Sequence, residues 1–151
     1  MTKRRLGTVV LLALGAVLML SSCGGGSSKG LTKEQFATKA NALCAAFNKQ
    51  VTAAGTPKTI AAAVTMYNKL LPADRKLIAD VKKLKPPANE AADVKRVIAL
   101  GEEQANRIDA LIAALKKNDI TKANKLATEG DTNQKESKTI FTRLGAAECA
   151  K

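Results

Sequence analysis

From residue 31 onward, apolar residues recur at intervals of three and four, with no sustained alternation, so the chain reads as a succession of amphipathic helices. Phe36, Ala40, Leu43, Cys44, Phe47 and Val51 form the first stripe, with Lys33, Lys39 and Asn48 off it. Thr32 followed by Gln35 has the form of a capping box, and Leu31 can staple to Phe36 across it. Gly55 ends this helix, and Thr56-Pro57 opens the next, with proline at the first helical position, where its missing N–H does no harm. Ile60, Val64, Tyr67, Leu71, Ile78, Val81 and Leu84 make the second stripe. Pro72 falls inside it and predicts a kink or short break between Leu70 and Asp74. Pro86-Pro87 closes the second helix and opens the third, whose stripe is the cleanest: Val94, Val97, Ile98, Gly101, Ala105, Ile108, Leu111, Ile112 and Leu115.

The third helix ends at Lys116-Lys117-Asn118, and Asp119 caps a fourth segment. Here two arrangements stay open. The stretch Glu129-Gly130-Asp131-Thr132-Asn133 can be a turn, with Asp131 or Asn133 capping a last helix through Ile140, Phe141 and Leu144. Alternatively the helix runs on, and Gly130, Asn133 and Ser137 continue the phase of Leu126 and face the core opposite Gly101 to Ala105 as a possible ligand seam. Gly145 suits a C-terminal cap. Four helices with short connections predict an all-α, up-and-down four-helix bundle.

The segment before residue 31 has a different pattern. Lys3, Arg4 and Arg5 precede an almost unbroken apolar run from Leu6 to Leu20, which closes on small residues, the layout of an export signal. The run is shorter than the roughly 20 residues a membrane-spanning helix needs, so a permanent transmembrane anchor is the weaker alternative. Leu20-Ser21-Ser22-Cys23 resembles the lipobox of bacterial lipoproteins. That resemblance implies a signal peptide over residues 1–22, cleaved just before Cys23, and a diacylglyceryl group on the Cys23 thiol. Two acyl chains make a stable anchor where one does not, so the implied location is the extracytoplasmic face of the cell membrane. A conventional signal that leaves Cys23 as a free thiol is the other alternative. Gly24-Gly25-Gly26-Ser27-Ser28-Lys29-Gly30 then reads as a flexible tether, spanning on the order of 15 Å. The chain thus divides into a signal peptide (1–22), a lipidated cysteine with its tether (23–30) and a helical domain (31–151).

With Cys23 assigned to lipid, Cys44 and Cys149 remain, and a pair outside the cytoplasm is expected to oxidise. The bridge closes a loop of about 105 residues, for which chain entropy gives on the order of 4–5 kcal/mol. No Cys-x-x-Cys spacing supports redox chemistry instead. Helix rise sets a condition on the bridge: Cys44 lies roughly 15 Å below the top of the first helix, whereas an unbroken fourth helix carries Cys149 roughly 40 Å down. A break near Gly130, a first helix set lower than its neighbours, or a tail that folds back after Gly145 resolves this. The folded-back tail, with some help from a break, is favoured.

Beyond the lipobox and tether, Asn41-Ala42-Leu43-Cys44, the Pro86-Pro87 turn and the Leu144 to Cys149 ending resemble small helical lipoproteins of actinobacteria and related high-GC bacteria. The resemblance implies a disulfide-stapled helical domain and supplies no catalytic residues.

Charge and composition narrow the function. The 151 residues carry 25 Lys or Arg and 13 Asp or Glu, and removal of the signal takes three of the basic residues and none of the acids. The domain stays basic. Without His there is no His general base, no Ser/His or Cys/His nucleophile pair and no His-ligated metal. Aromatic residues, 3% of the chain, are too few for a base-stacking platform, so nucleic acid is not an expected partner. Glu102, Glu103 and Asp109 form an acidic cluster that should face solvent, and no cofactor or metal site is expected. In an up-and-down bundle Lys29, Lys33, Lys82, Lys83 and Lys85 gather at the pole beside the tether, with Arg143 and Lys151 as candidates to join them. Helix-end cations complement the macrodipole, and the same pole can face an anionic membrane or envelope component. The expected function is a non-catalytic binding or structural module of the cell envelope. Its partners are the bilayer through acylated Cys23 and an unidentified protein. The alternative is a small-ligand carrier or sensor, with a pocket between the third and fourth helices along Gly101, Gly130, Asn133 and Ser137.

Overall fold

The computed structural model describes residues 30–151. Four helices carry the chain: α1 (Lys33–Ala54), α2 (Ile60–Lys83), α3 (Ala91–Lys116) and α4 (Ile120–Arg143). Short 3-10 turns follow at Ala88–Glu90 and Ala147–Ala150. The described residues contain no strand. Cys23 and Lys29, with the whole signal segment, lie outside the described residues.

Local chemistry accounts for the helix boundaries. Thr32 and Gln35 form the capping box of α1: the Gln35 N–H donates to Thr32 Oγ1 at 3.2 Å, and the Thr32 N–H donates to Gln35 Oε1 at 3.0 Å. Asp119 caps α4 by accepting from the Lys122 N–H at 3.0 Å. The second helix starts later than Thr56-Pro57 predicts. Thr59 is its cap, accepting from the Ala62 N–H at 3.1 Å, and Pro57 stays in the connection.

Pro72 does not break α2, which is helical from Ile60 to Lys83. The proline leaves the Asn68 carbonyl without its helical donor, but Asn68 and Pro72 are both exposed, so water can serve that carbonyl. Leu71 and Val81 are meanwhile buried and hold the helix in place. Nor is there a turn at Glu129–Asn133: α4 is continuous through Gly130. Gly130 is buried there, and a Cβ on it would sit 3.2 Å from Gln104 Oε1, so the glycine admits the Gln104 side chain between α3 and α4. The missing side chain thus favours close packing at this point.

Consecutive helices pack on one another. Cross-contacts between α3 and α4 pair rising with falling numbers: Asp93 with Arg143, Arg96 with Glu136, Arg107 with Glu129. The two therefore run in opposite directions, as do α2 and α3, where Arg75 meets Asp109 and Lys82 meets Glu102. At one end, the Leu31 N–H donates to the Lys85 carbonyl at 2.9 Å, joining the start of α1 to the end of α2. Gly30, assigned above to the tether, is already docked there: a Cβ on it would lie 2.0 Å from the Pro86 carbonyl oxygen.

The tail folds back without help from a break in α4. Gly145, at φ 76°, turns the chain after α4, and the Ala147–Ala150 turn packs against both α1 and α4. Asn41 and Asn48 hold it. The Glu148 N–H donates to Asn41 Oδ1 at 2.8 Å, Asn41 Nδ2 donates to the Gly145 carbonyl at 3.4 Å, and Asn48 Nδ2 donates to the Glu148 carbonyl at 2.8 Å. Cys149 thereby comes to Cys44 with a Cα–Cα separation of 5.1 Å, and the two form a disulfide.

Buried apolar residues form two clusters. The larger draws on every helix and the tail, with Phe36 and Ala40 from α1, Val81 from α2, Val94, Val97 and Leu100 from α3, Ile140 from α4, and Leu144 and Ala146 beyond it. Leu100 is 1% exposed and central to this cluster, although it falls off the stripe read from the sequence. The smaller cluster has only Leu71, Ala105 and Ile112, all from α2 and α3.

Candidate functional site

Against the larger cluster, whose Val81, Val97 and Leu100 share its wall, lies a partly open cleft. A cavity of about 490 Å³ runs between the four helices and the C-terminal turn, bounded by Phe47 and Val51 on α1, Tyr67 and Leu77 on α2, Ile108 on α3 and Leu126 on α4. A cleft of this size falls within the range of small-molecule sites, which start at about 300 Å³. Wall residues on α3 extend from Val97 to Leu111, which at helical rise makes the cavity roughly 20 Å long. Its cause is side-chain volume. Between Leu126 and Phe141, which also line it, the facing stretch of α4 is Ala127, Gly130, Asp131, Asn133, Gln134, Ser137 and Lys138, and this middle part offers α2 and α3 little apolar bulk to pack on. Meanwhile α1 packs on α2 and on the C-terminal turn, not along the length of α4.

The four residues of the sequence-derived seam, Gly101, Gly130, Asn133 and Ser137, all stand on this wall. Their surroundings differ. A Cβ on Gly101 would lie 3.0 Å from Ile78 Cγ1, so this glycine brings α2 and α3 close together, as Gly130 does for α3 and α4. Asn133 Nδ2 donates to Glu103 Oε2 at 3.0 Å. Ser137 stands half-buried on the α4 side. The site is broader than a pocket between the third and fourth helices, because α1, α2 and the disulfide itself contribute to its wall.

The sequence reading missed several polar members of this wall, among them Gln104, Arg107 and Asp74. Gln104 and Arg107 project from α3, with Arg107 Nη1 donating to Gln104 Oε1 at 2.9 Å and its Nε 3.8 Å from Glu129. Asp74 projects from α2. Its Oδ2 is buried without a hydrogen-bond partner, and burial pushes its pKa up to about 6, opposed only by the charge of the adjacent Arg75. The signal for Asp74 lay in the second stripe, which jumps from Leu71 to Ile78; position 74 fills that gap on the same helical face.

Among the basic residues of the tether pole, Lys33 lies 3.2 Å from Glu90, Lys82 3.1 Å from Glu102 and Lys83 2.8 Å from Asp80. Lys76 and Lys83 donate to Asp80 and hold its pKa down, to about 2. Arg143 grips Asp93 with two hydrogen bonds, of 2.8 and 2.7 Å. Lys85 is exposed beside Pro86. Each of these carboxylates offsets a cation, so the pole is a weaker positive patch than its lysines alone suggest. Glu102, Glu103 and Asp109 are exposed, as expected.

Among the described residues no helix is long and apolar enough to cross a membrane. The same residues contain no group of three or more His, Cys, Asp or Glu side chains placed to hold a metal ion. No protein-family model, curated protein or solved structure matches the chain.

Proposed function

We propose that the chain is an exported lipoprotein, held on the extracytoplasmic face of the cell membrane by acylated Cys23. Its up-and-down four-helix bundle binds an apolar small molecule in its interior and carries out no chemistry. The observation behind this reading is the cavity of about 490 Å³. A purely structural module gains nothing from an unfilled cleft between its helices, since each missing contact forfeits packing energy. The wall is mainly apolar with a few polar groups, the composition of a small-molecule site.

Anchoring rests on the basic segment, the apolar run and the lipobox-like Leu20-Ser21-Ser22-Cys23, in that order. A disulfide between the remaining two cysteines agrees with an oxidising compartment. The ion pairs around Lys33, Lys82 and Lys83 weaken the case for an anionic envelope surface as the main partner.

Binding is tested with the neutral fluorescent probe N-phenyl-1-naphthylamine, added to the full chain in phosphatidylcholine nanodiscs with empty discs subtracted. Saturable one-to-one binding is expected in the natural chain, and its loss in Ser137→Leu with helical content unchanged. Equal binding by Ser137→Leu would contradict an interior site. Anchoring is tested separately: Cys23→Ala should release the protein from membranes without detergent.

A further inference from the structure

Three of the four Phe and Tyr residues in the chain, Phe47, Tyr67 and Phe141, line the cavity. Among these apolar walls stands Asp74, one helical turn from Leu71 and Ile78. Its Oδ2 is the only buried side-chain polar atom without a partner among the described residues. A carboxylate in such surroundings is destabilising unless a counter-charge or a donor reaches it.

The protein does not supply that counter-charge. Arg75 is the only cation acting on Asp74, and its guanidinium is turned to Asp109 on α3. Of the three cations on the cavity wall, Arg107 is engaged with Gln104 and Glu129, Lys151 with Glu148, and Lys138, on α4, is not among the charges that act on Asp74. Burial raises the Asp74 pKa to about 6, so at neutral pH the group is mostly ionised and poorly solvated. The aromatic residues nearby offer faces that attract a cation.

We propose that the cavity takes an apolar molecule carrying a single protonated amine, which donates to Asp74 while the apolar body lies along Phe47, Tyr67 and Ile108. This rests on the interior-binding function proposed above and adds the ligand's chemical class. A carboxylic acid would meet a like charge at Asp74, and an alcohol would supply a hydrogen bond but no counter-charge. One carboxylate with no companion ligands does not make a site for a hard metal ion.

The test uses three probes of one shape and different charge: 1-naphthylmethylamine, 1-naphthalenemethanol and 1-naphthoate. Each is titrated by fluorescence into the full chain in phosphatidylcholine nanodiscs, with empty discs subtracted. The amine is expected to bind at least tenfold more tightly than the alcohol, and the naphthoate more weakly than either. Asp74→Asn should reduce the amine to the level of the alcohol while leaving the alcohol unchanged. Glu136→Gln, which removes a negative charge on the outer surface, should keep the full preference. A preference for the amine that survives in Asp74→Asn, or is absent from the natural chain, would overturn the assignment. If N-phenyl-1-naphthylamine still binds in that case, only the ligand class fails; if that probe and all three naphthyl compounds fail to bind, the interior-binding function fails with it.

Discussion

The two halves of the helical domain use the same helices to opposite ends. Around Phe36, Leu100 and Leu144, every helix and the C-terminal turn contribute apolar bulk, and no polar side chain is buried. Around Tyr67 and Ile108 only α2 and α3 form a buried core, while α4 between Leu126 and Phe141 presents glycine, serine, amides and charged groups, and a cleft remains. The exposed large apolar residues Val51, Ile60 and Ile120 sit at the helix ends of this second half, whereas the first half leaves none exposed. One half is built to stay shut. The difference is one of side-chain volume, since both halves share helix caps, connections and direction.

The sharpest way to break this contrast is to remove bulk from each half in turn. Phe36→Ala should cost about 3–5 kcal/mol, because a fully buried ring leaves a void in close-packed surroundings. Leu111→Ala, on a wall that already borders empty space, should cost about half as much or less. Urea denaturation of the two variants measures both; equal losses would mean that the second half is as tightly packed as the first.

Reducing the Cys44–Cys149 bridge comes next. It should lower stability by about 2–5 kcal/mol, read as a drop in Tm with reductant. The tail should then depend on Asn41 and Asn48, so Asn41→Ala is expected to cost more in the reduced protein than in the oxidised one.

Asp74→Asn should act in the opposite direction and stabilise the empty protein. The folded-state pKa of Asp74 lies above its ordinary 3.8, at about 6. The folded form therefore holds its proton more tightly than the unfolded one, and stability falls as pH rises from about 4 through 6. The penalty is fully present above that window and absent below it. Denaturation at pH 3 and 7.5 should show Asp74→Asn gaining roughly 1–3 kcal/mol over the natural chain at the higher pH and little at the lower. Asp80, held at about 2, loses its charge only on the acid side of this window. The smallest effect is expected from Arg96→Ala, whose solvent-exposed pairing with Glu136 should leave the urea midpoint nearly unchanged despite its two short hydrogen bonds.

How much was legible depended on whether a position answered to local or to distant neighbours. The capping box at Thr32, the cap at Asp119 and the Cys44–Cys149 pairing follow from nearby chemistry or from cysteine number, and all are present. Pro72 misled because its effect depends on whether the stranded carbonyl reaches water, which only the packed structure decides. The Glu129–Asn133 stretch has turn-like composition, yet Gln104 from another helix fills the space that Gly130 leaves. Of the site, the sequence showed Gly101, Gly130, Asn133 and Ser137 as one seam. It hid Asp74, because a carboxylate on an apolar stripe looks like an interruption until the opposing helix proves too small to cover it.

The most direct test of an interior binding site is where a bound molecule is felt. Amide chemical shifts of the full chain in nanodiscs, recorded as N-phenyl-1-naphthylamine is added, should move at Phe47, Tyr67, Asp74 and Ser137 and stay fixed at Phe36, Val94 and Leu144, which do not line the cavity. Shifts confined to exposed helix faces, or no saturable shifts along the cavity wall, would contradict it.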